Sequence, residues 1–195
     1  QIDIRFGEYI KAVDHLDHAL VTNAHNNKAR SLKVVALRKL GELEAAKQIA
    51  NEILNFDPLD QWAHCELMLL TNDRAELTRI LRSDVQNYLD LAFDYANAGL
   101  FDEARNLLLD YCQSDPYMAA SQALYLGSSE HTPLKNIYSI VYYALGYFAD
   151  QMGDPTAALD WYRQAAGQPS DYCFPIRLEE QIVLEAAQKA NPSDG

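Results

Sequence analysis

The chain has 195 residues, of which 49% are hydrophobic and 23% are charged, and it contains 8 glycines. This composition excludes a disordered protein and a loop-rich β-protein, and it favours an ordered, mostly helical one. The formal net charge of −12 disfavours nucleic acid and anionic membranes as partners, because both are bound by clustered lysine and arginine.

A helical pattern recurs four times along the chain, each time starting at a glycine. The segments read GEYIKAVDHLDHAL, GELEAAKQIANEIL, GLFDEARNLLLDYC and GDPTAALDWYRQAA. A glycine permits a tight turn between two helices, and a small alanine lets their backbones approach closely, so each segment is predicted to be the second helix of an antiparallel pair. The glycine and the alanine that follows it five residues later are Gly7 and Ala12, Gly41 and Ala46, Gly99 and Ala104, and Gly153 and Ala158.

The partner helices precede these glycines, and two inserts separate the pairs. Helical spacing of apolar residues predicts first helices over 28–40, 85–98 and 136–152, the last with Tyr142, Leu145, Gly146 and Ala149 along its inner face. The first insert is predicted to be a shortened helix pair, 60–70 and 73–83, in which Asn72 or Asp73 caps the second helix. The predicted units of a single domain 1–195 are 1–24, 27–58, 59–83, 85–116, an irregular 117–135, 136–168 and a terminal helix at 175–191.

The spacing resembles that of a known helical repeat. The first two glycines are 34 residues apart, and two of the segments are followed by Asp57-Pro58 and Asp115-Pro116. Together with the G-x-x-x-x-A pattern, this resembles the tetratricopeptide repeat, a helix–turn–helix unit of that length. The resemblance implies an all-α fold, a right-handed solenoid of antiparallel helix pairs, which the inserts are expected to make irregular. Because both ends interrupt the pattern, we expect a fragment of a longer chain, truncated at both ends.

In this family the first helices line a concave groove, and the resemblance therefore implies a set of ligand-binding residues. Aromatic rings supply broad contact area for peptide side chains or for the apolar face of a sugar. Each ring could instead pack between repeats, and each cation could be an ordinary solvated charge. The predicted groove runs from a basic end to an aromatic wall: Lys28, Arg38, Lys39, Trp62, Phe93, Asn97, Tyr143, Tyr147 and Asp150.

Metal and redox sites are not predicted. His15 and His18 have a spacing that can place two imidazoles on one metal, but no third ligand is identifiable beyond nearby aspartates and His25. The three cysteines, Cys65, Cys112 and Cys173, lack CxxC spacing and are expected to be reduced. No cofactor is predicted.

Catalysis is not predicted either. Asp57 with Asp60, and Glu179 with Glu180, are acid pairs, but their positions at helix starts indicate capping and dipole roles. The sequence contains no P-loop, nucleophile elbow or dinucleotide-binding glycine motif. The protein is therefore not expected to be an enzyme.

Three functions stay open at this point. The first is a non-catalytic interaction module that holds a protein, a peptide or a neighbouring domain of its own chain. The second is an accessory domain that positions a glycan, because NFDPLDQWAHCEL and DYCFPIRLEEQIVLEAAQKANPSD are similar to helical regions of large bacterial proteins with carbohydrate-type β-sandwich domains. The third is a structural spacer or dimerisation element. The lack of a membrane-length apolar run and of a secretory segment predicts a cytoplasmic location.

Overall fold

The structure is a computed structural model that describes residues 1–114, 139–168, 175 and 177–190. Within these residues the regular elements are α-helices, which confirms the all-α class. The predicted irregular segment 117–135, the pair Asp115-Pro116 and Cys173 lie outside the described residues. In chain order the helices are α1 (Ile2–Arg5), α2 (Tyr9–Thr22), α3 (Asn27–Leu40), α4 (Leu43–Phe56), α5 (Gln61–Thr71), α6 (Ala75–Leu81), α7 (Val85–Asn97), α8 (Phe101–Ser114), α9 (Ser139–Gln151), α10 (Pro155–Ala166) and α11 (Leu178–Ala190).

The chain divides into two compact units. Unit 1 comprises Gln1–Ser83 and Asn97–Leu100 and contains α1 to α6. Unit 2 comprises Asp84–Ala96 and Phe101–Gly195 and contains nearly all of α7 together with α8 to α11. Each unit is described by itself.

The glycine turns predicted from the repeat are present. Gly41 follows α3 with φ 81°, and its N–H donates to the Arg38 carbonyl at 3.0 Å. Gly153 follows α9 with the same φ of 81°, and its N–H donates to the Asp150 carbonyl at 2.9 Å. A positive φ strains any residue that has a Cβ, which explains why the repeat requires glycine here.

The repeated alanines are buried, as the close approach of paired helices requires. Ala12, Ala46, Ala104 and Ala158 are each at most 3% exposed. Ala46 lies in the apolar core of unit 1, where α3, α4 and α5 pack together. This core contains Val34, Leu37, Ala46, Ala50, Ile53 and Ala63. The antiparallel helix pairs of a tetratricopeptide-like repeat are thereby confirmed.

Side-chain caps fix the starts of α3, α5 and α10. The side chains of Asn26, Asp60 and Asp154 accept hydrogen bonds from the N–H three residues later, at 2.9 to 3.0 Å. Asn72 differs from the expectation, because it ends α5 with φ 59° instead of capping α6. Asparagine tolerates this left-handed conformation better than most residues with a side chain. Asp73 leads into α6 by accepting a hydrogen bond from the Ala75 N–H at 3.0 Å.

In unit 2 the terminal helix α11 is tied to α7 by a polar cluster. Glu180 is buried, and its carboxylate accepts hydrogen bonds from the Gln86 side chain at 3.3 Å and from the Arg177 N–H at 3.2 Å. The Arg177 guanidinium donates to Asp90 at 2.8 Å. Glu180 therefore has the structural role expected of an acid at a helix start.

None of the described helices has the length and apolarity needed to cross a membrane.

Candidate functional site

In unit 1, α3 places the predicted basic residues in different environments. Lys28 and Lys39 are exposed near opposite ends of the helix. Arg38 instead donates to the Glu66 carboxylate of α5 through Nε at 2.7 Å and Nη2 at 3.2 Å. The Glu66 side chain is 0% exposed, so Arg38 compensates a buried charge. This ion pair gives Arg38 a structural role that the sequence did not predict.

Three further predicted groove residues lie on α5 and α7, and the structure buries two of them. Trp62 is 6% exposed and Phe93 is 2% exposed, which differs from the open groove position expected for these two rings. In unit 2 the Phe93 ring packs against Phe148 with centroids 5.8 Å apart. Asn97 is exposed at the end of α7. Burial of the two rings follows from their large apolar area, which packing removes from water.

Helix α9 of unit 2 brings three predicted residues together. Tyr143, Tyr147 and Asp150 occupy positions i, i+4 and i+7, which lie on one side of a helix. The two tyrosines are half-buried and Asp150 is exposed. We call these three residues the α9 face. It offers aromatic area and one negative charge within reach of a ligand, but whether it binds one is still a prediction.

A buried tyrosine of α10, Tyr162, packs against the α9 face. The Tyr162 ring lies 6.5 Å from the Tyr143 ring and belongs to a core cluster with Ala149, Ala158 and Ala187. Gly146 makes room for it, because a Cβ at this position would lie 2.5 Å from Tyr162 Cδ1. Sequence reasoning predicted a small residue at Gly146 but did not identify Tyr162.

The electrostatic surroundings of Tyr162 are unusual for a tyrosine. Burial raises the pKa of Tyr162, and the negative charge of Asp150 and the proximity of Tyr147 raise it further. The phenol is therefore a neutral hydroxyl at physiological pH. Its oxygen is buried and has no hydrogen-bond partner among the described residues.

A second aromatic pair flanks this helix pair. Tyr142 of α9 stacks on Trp161 of α10 with centroids 6.0 Å apart and planes inclined by 17°. The sequence suggested an inward position for Tyr142 but gave no signal for its partner, because the contact joins residues of two different helices. Burial raises the pKa of Tyr142 as well, and the neighbouring Cys112 adds to this effect.

The residues considered for metal binding and acid–base work have other partners. His15 Nδ1 lies 2.9 Å from Asp3 Oδ2, whereas His18 Nδ1 lies 2.8 Å from the Asp14 carbonyl oxygen. Across the described ranges, no group of three or more His, Cys, Asp or Glu residues could hold a metal ion. Asp60 caps α5; burial raises its pKa, and the hydrogen bond from the Ala63 N–H opposes this change.

Comparison with known proteins places the repeat in a family. Residues 140–170, which contain nearly all of α9 with the α9 face and all of α10, match the family model described as Tetratricopeptide repeat. This segment of the chain is therefore similar to a tetratricopeptide repeat, and the helices of the described residues agree with a helical repeat. This repeat supports one class of function, a protein-interaction scaffold.

Two solved structures of helical proteins are similar to larger parts of the chain. One is MamA MSR-1 C2, with 16% identity over 84% of this chain and 88% of that chain, at a TM-score of 0.34. The other is TTC0263, a thermophilic TPR protein in Thermus thermophilus, with 18% identity over 94% of this chain and 92% of that chain, at a TM-score of 0.37. Because both TM-scores are low, these two structures add nothing to the similarity found for residues 140–170. No curated protein matches the sequence.

Proposed function

We propose that this chain is a non-catalytic interaction module that binds a peptide segment of a partner protein or of a neighbouring domain. The observation that carries this proposal is the α9 face. Tyr143, Tyr147 and Asp150 present partly exposed rings and an exposed carboxylate within the segment that matches the tetratricopeptide repeat. Tyrosines at such positions commonly anchor protein contacts, because a large rigid ring gives contact area at low entropic cost.

The packing beneath the α9 face supports binding without large rearrangement. Tyr162 lies beneath Tyr143, and Gly146 allows α10 to approach α9 closely at that point. A surface whose side chains are already ordered loses less conformational entropy when a ligand binds. The rigid helix pair therefore favours affinity.

Unit 1 offers a second, chemically different contact. Lys28 and Lys39 are exposed on α3, so they can attract acidic groups of a partner. This contact is proposed for unit 1 by itself, separately from the α9 face of unit 2.

The proposal is tested by measuring the binding of blocked random peptides to the folded protein by fluorescence anisotropy. Tyr147→Ala is expected to weaken binding about tenfold or more, because anchor residues at interfaces often contribute about 2 kcal/mol. Lys39→Ala should weaken the binding of acidic peptides by a smaller factor. Matched controls are Gln164→Ala and Lys47→Ala, which remove exposed side chains from the second helices α10 and α4.

Circular dichroism of every variant checks that the helices are intact. If the folded protein binds no peptide, or if the control variants weaken binding as much as Tyr147→Ala does, the proposed function is wrong.

A further inference from the structure

The hydroxyl of Tyr162 is a buried polar group to which the described residues give no hydrogen-bonding role. Tyr162 is 2% exposed, and its hydroxyl oxygen has no hydrogen-bond partner within the described part of the chain. Removing a hydroxyl from water without replacing its hydrogen bonds is unfavourable, so buried polar groups are nearly always paired. Phenylalanine would fill the same space without this cost. The hydroxyl therefore calls for an explanation outside the packing of the helices.

The position of the ring indicates where the hydroxyl points. One edge of the Tyr162 ring, with Cδ1 and Cε1, lies against Gly146 of α9. Asp150 is one helical turn beyond Gly146 on the same side of α9. Asp150 and Tyr147 are also the groups whose electrostatic effect reaches the phenol. The hydroxyl thus lies at the α9 face, beneath Tyr147 and Asp150.

The chemistry at this point suits a cation. The exposed Asp150 carboxylate makes no side-chain hydrogen bond or ion pair within the residues that the structure describes. The faces of tyrosine rings attract ammonium and guanidinium groups, and a phenol oxygen accepts hydrogen bonds from them. An acidic side chain would be repelled by Asp150, and an apolar one would leave the hydroxyl without a partner.

The charge of unit 2 favours the same ligand. Its sequence contains five Lys and Arg against 16 Asp and Glu. Within α10, Arg163 is engaged by Asp160 at 3.6 Å. An acidic environment raises the local concentration of cationic groups.

We infer that Asp150, Tyr147 and the hydroxyl of Tyr162 form a subsite for a lysine or arginine side chain of the bound peptide. This inference rests on the proposed function and names the chemistry of its ligand. The cation donates hydrogen bonds to the exposed Asp150 carboxylate and, after a local movement of the side chains around the buried hydroxyl, to the Tyr162 oxygen. The Tyr162 hydroxyl thus lowers the stability of the free protein and raises its affinity for the peptide.

The test uses random peptides with blocked ends whose central residue is fixed as Lys, Arg, Leu or Glu. Fluorescence anisotropy with the whole chain should show the Lys and Arg pools binding about tenfold more tightly than the Leu pool. Asp150→Asn should remove most of this preference. Tyr162→Phe should weaken the Lys and Arg pools about fivefold and leave the Leu pool unchanged.

Two control variants make the same chemical changes elsewhere on the helix pair. Asp160→Asn removes a carboxylate whose side chain leaves α10 about 200° away from that of Tyr162. Tyr142→Phe removes a phenol hydroxyl from the ring stacked on Trp161. Both should retain the preference for Lys and Arg.

Thermal unfolding separates a ligand-binding role from a structural one. Tyr162→Phe should raise the unfolding midpoint while it lowers affinity, a combination that a loss of structure cannot produce. If peptides bind but the pools are equal, the Glu pool is preferred, or either Asp150→Asn or Tyr162→Phe retains the full preference, this inference is wrong and the proposed function stands. If no pool binds the folded protein, both are wrong.

Discussion

The contact between Gly146 and Tyr162 is a residue-scale feature that determines how closely α9 and α10 approach. A Cβ at position 146 would lie 2.5 Å from Tyr162 Cδ1 and 3.1 Å from the Ala158 carbonyl oxygen. Both neighbours are constrained, because the ring is buried and the carbonyl belongs to a helix. The sequence predicted that Gly146 lies on the inner face of its helix, and the resemblance to the tetratricopeptide repeat implied a small residue against the neighbouring helix. The identity of the ring against it required the tertiary structure.

Gly146→Ala is therefore expected to destabilise the protein. Overpacking costs about 1–3 kcal/mol, whereas the better helix propensity of alanine returns about 1 kcal/mol, so a net loss of up to about 2 kcal/mol is expected. Urea unfolding followed by circular dichroism measures the free energy of unfolding.

Gly167→Ala is the matched control. Gly167 has φ −75°, and the nearest atoms to a Cβ there lie 3.6 Å away. Alanine should be tolerated at Gly167 or stabilise by about 0.4–1 kcal/mol. Equal effects of the two substitutions would contradict the close contact at Gly146.

At the scale of the helices, the ion pair between Arg38 and Glu66 joins α3 to α5. Glu66 has the sequence context of an ordinary surface acid in a helix, yet its side chain is 0% exposed. The Arg38 guanidinium reaches it with two hydrogen bonds at 2.7 and 3.2 Å. Sequence reasoning assigned Arg38 to a groove because nothing local shows that α5 places an acid beside it.

Arg38→Met should cost about 3 kcal/mol, because it leaves the buried carboxylate without its arginine. The double variant Arg38→Met with Glu66→Leu should lie within about 1 kcal/mol of the native protein, since it removes both charges. A double-mutant cycle from urea unfolding measures the coupling between the two residues. A double variant as unstable as Arg38→Met alone would show that the loss has another cause.

The short helix α1 is connected to α2 by a titratable pair. The hydrogen bond to Asp3 and its negative charge raise the pKa of His15 above 6.5, and the same hydrogen bond lowers the pKa of Asp3 below 3.8. The contribution of His15 is complete below its ordinary pKa and is lost as the pH rises through the raised value. The contribution of Asp3 is complete above its ordinary pKa and is lost as the pH falls through the lowered value.

The pair therefore stabilises α1 at pH values between the lowered pKa of Asp3 and the raised pKa of His15. His15→Asn is expected to lower the unfolding midpoint slightly at about pH 6 and to have no effect at about pH 9. His18→Asn serves as the control, because the polar contacts of His18 with other described residues are to the carbonyl and carboxylate of Asp14 in its own helix. Differential scanning calorimetry at both pH values measures the midpoints. A His15→Asn effect of the same size at both pH values would contradict the charged pair.

At the scale of the whole molecule, the formal net charge of −12 is unevenly distributed. Residues 1–50 contain eight Lys and Arg against six Asp and Glu, so the acidic excess lies in the rest of the chain. Salt screens exposed charges over a Debye length of about 10 Å at 0.1 M. Binding of a cationic peptide should therefore depend on ionic strength.

Raising the salt concentration from about 0.01 M to about 0.15 M is expected to weaken the binding of lysine-containing peptides, because the Debye length falls from about 30 to about 8 Å. The leucine-containing peptides serve as the control and should change little. Titrations by fluorescence anisotropy at each salt concentration measure both. Binding of the lysine pool that does not depend on salt would contradict an electrostatic contribution.

The sequence by itself determined the repeated helix pairs. Gly7, Gly41, Gly99 and Gly153 all adopt positive φ, and the alanines five residues after them are all buried. These features are local, because a turn needs a residue without a Cβ and a close helix contact needs a small side chain. The same local logic predicted the cap at Asp60, because a side chain three residues before a free N–H can accept its hydrogen bond.

Only the tertiary structure decided which side chains meet across helices. It buried Trp62 and Phe93, paired Arg38 with Glu66, and placed the Tyr162 ring against Gly146. Helical periodicity gives the side of a helix on which a residue lies, but it does not give the neighbour that the residue encounters there. The partners are far apart in sequence, so their contacts depend on how the helices pack.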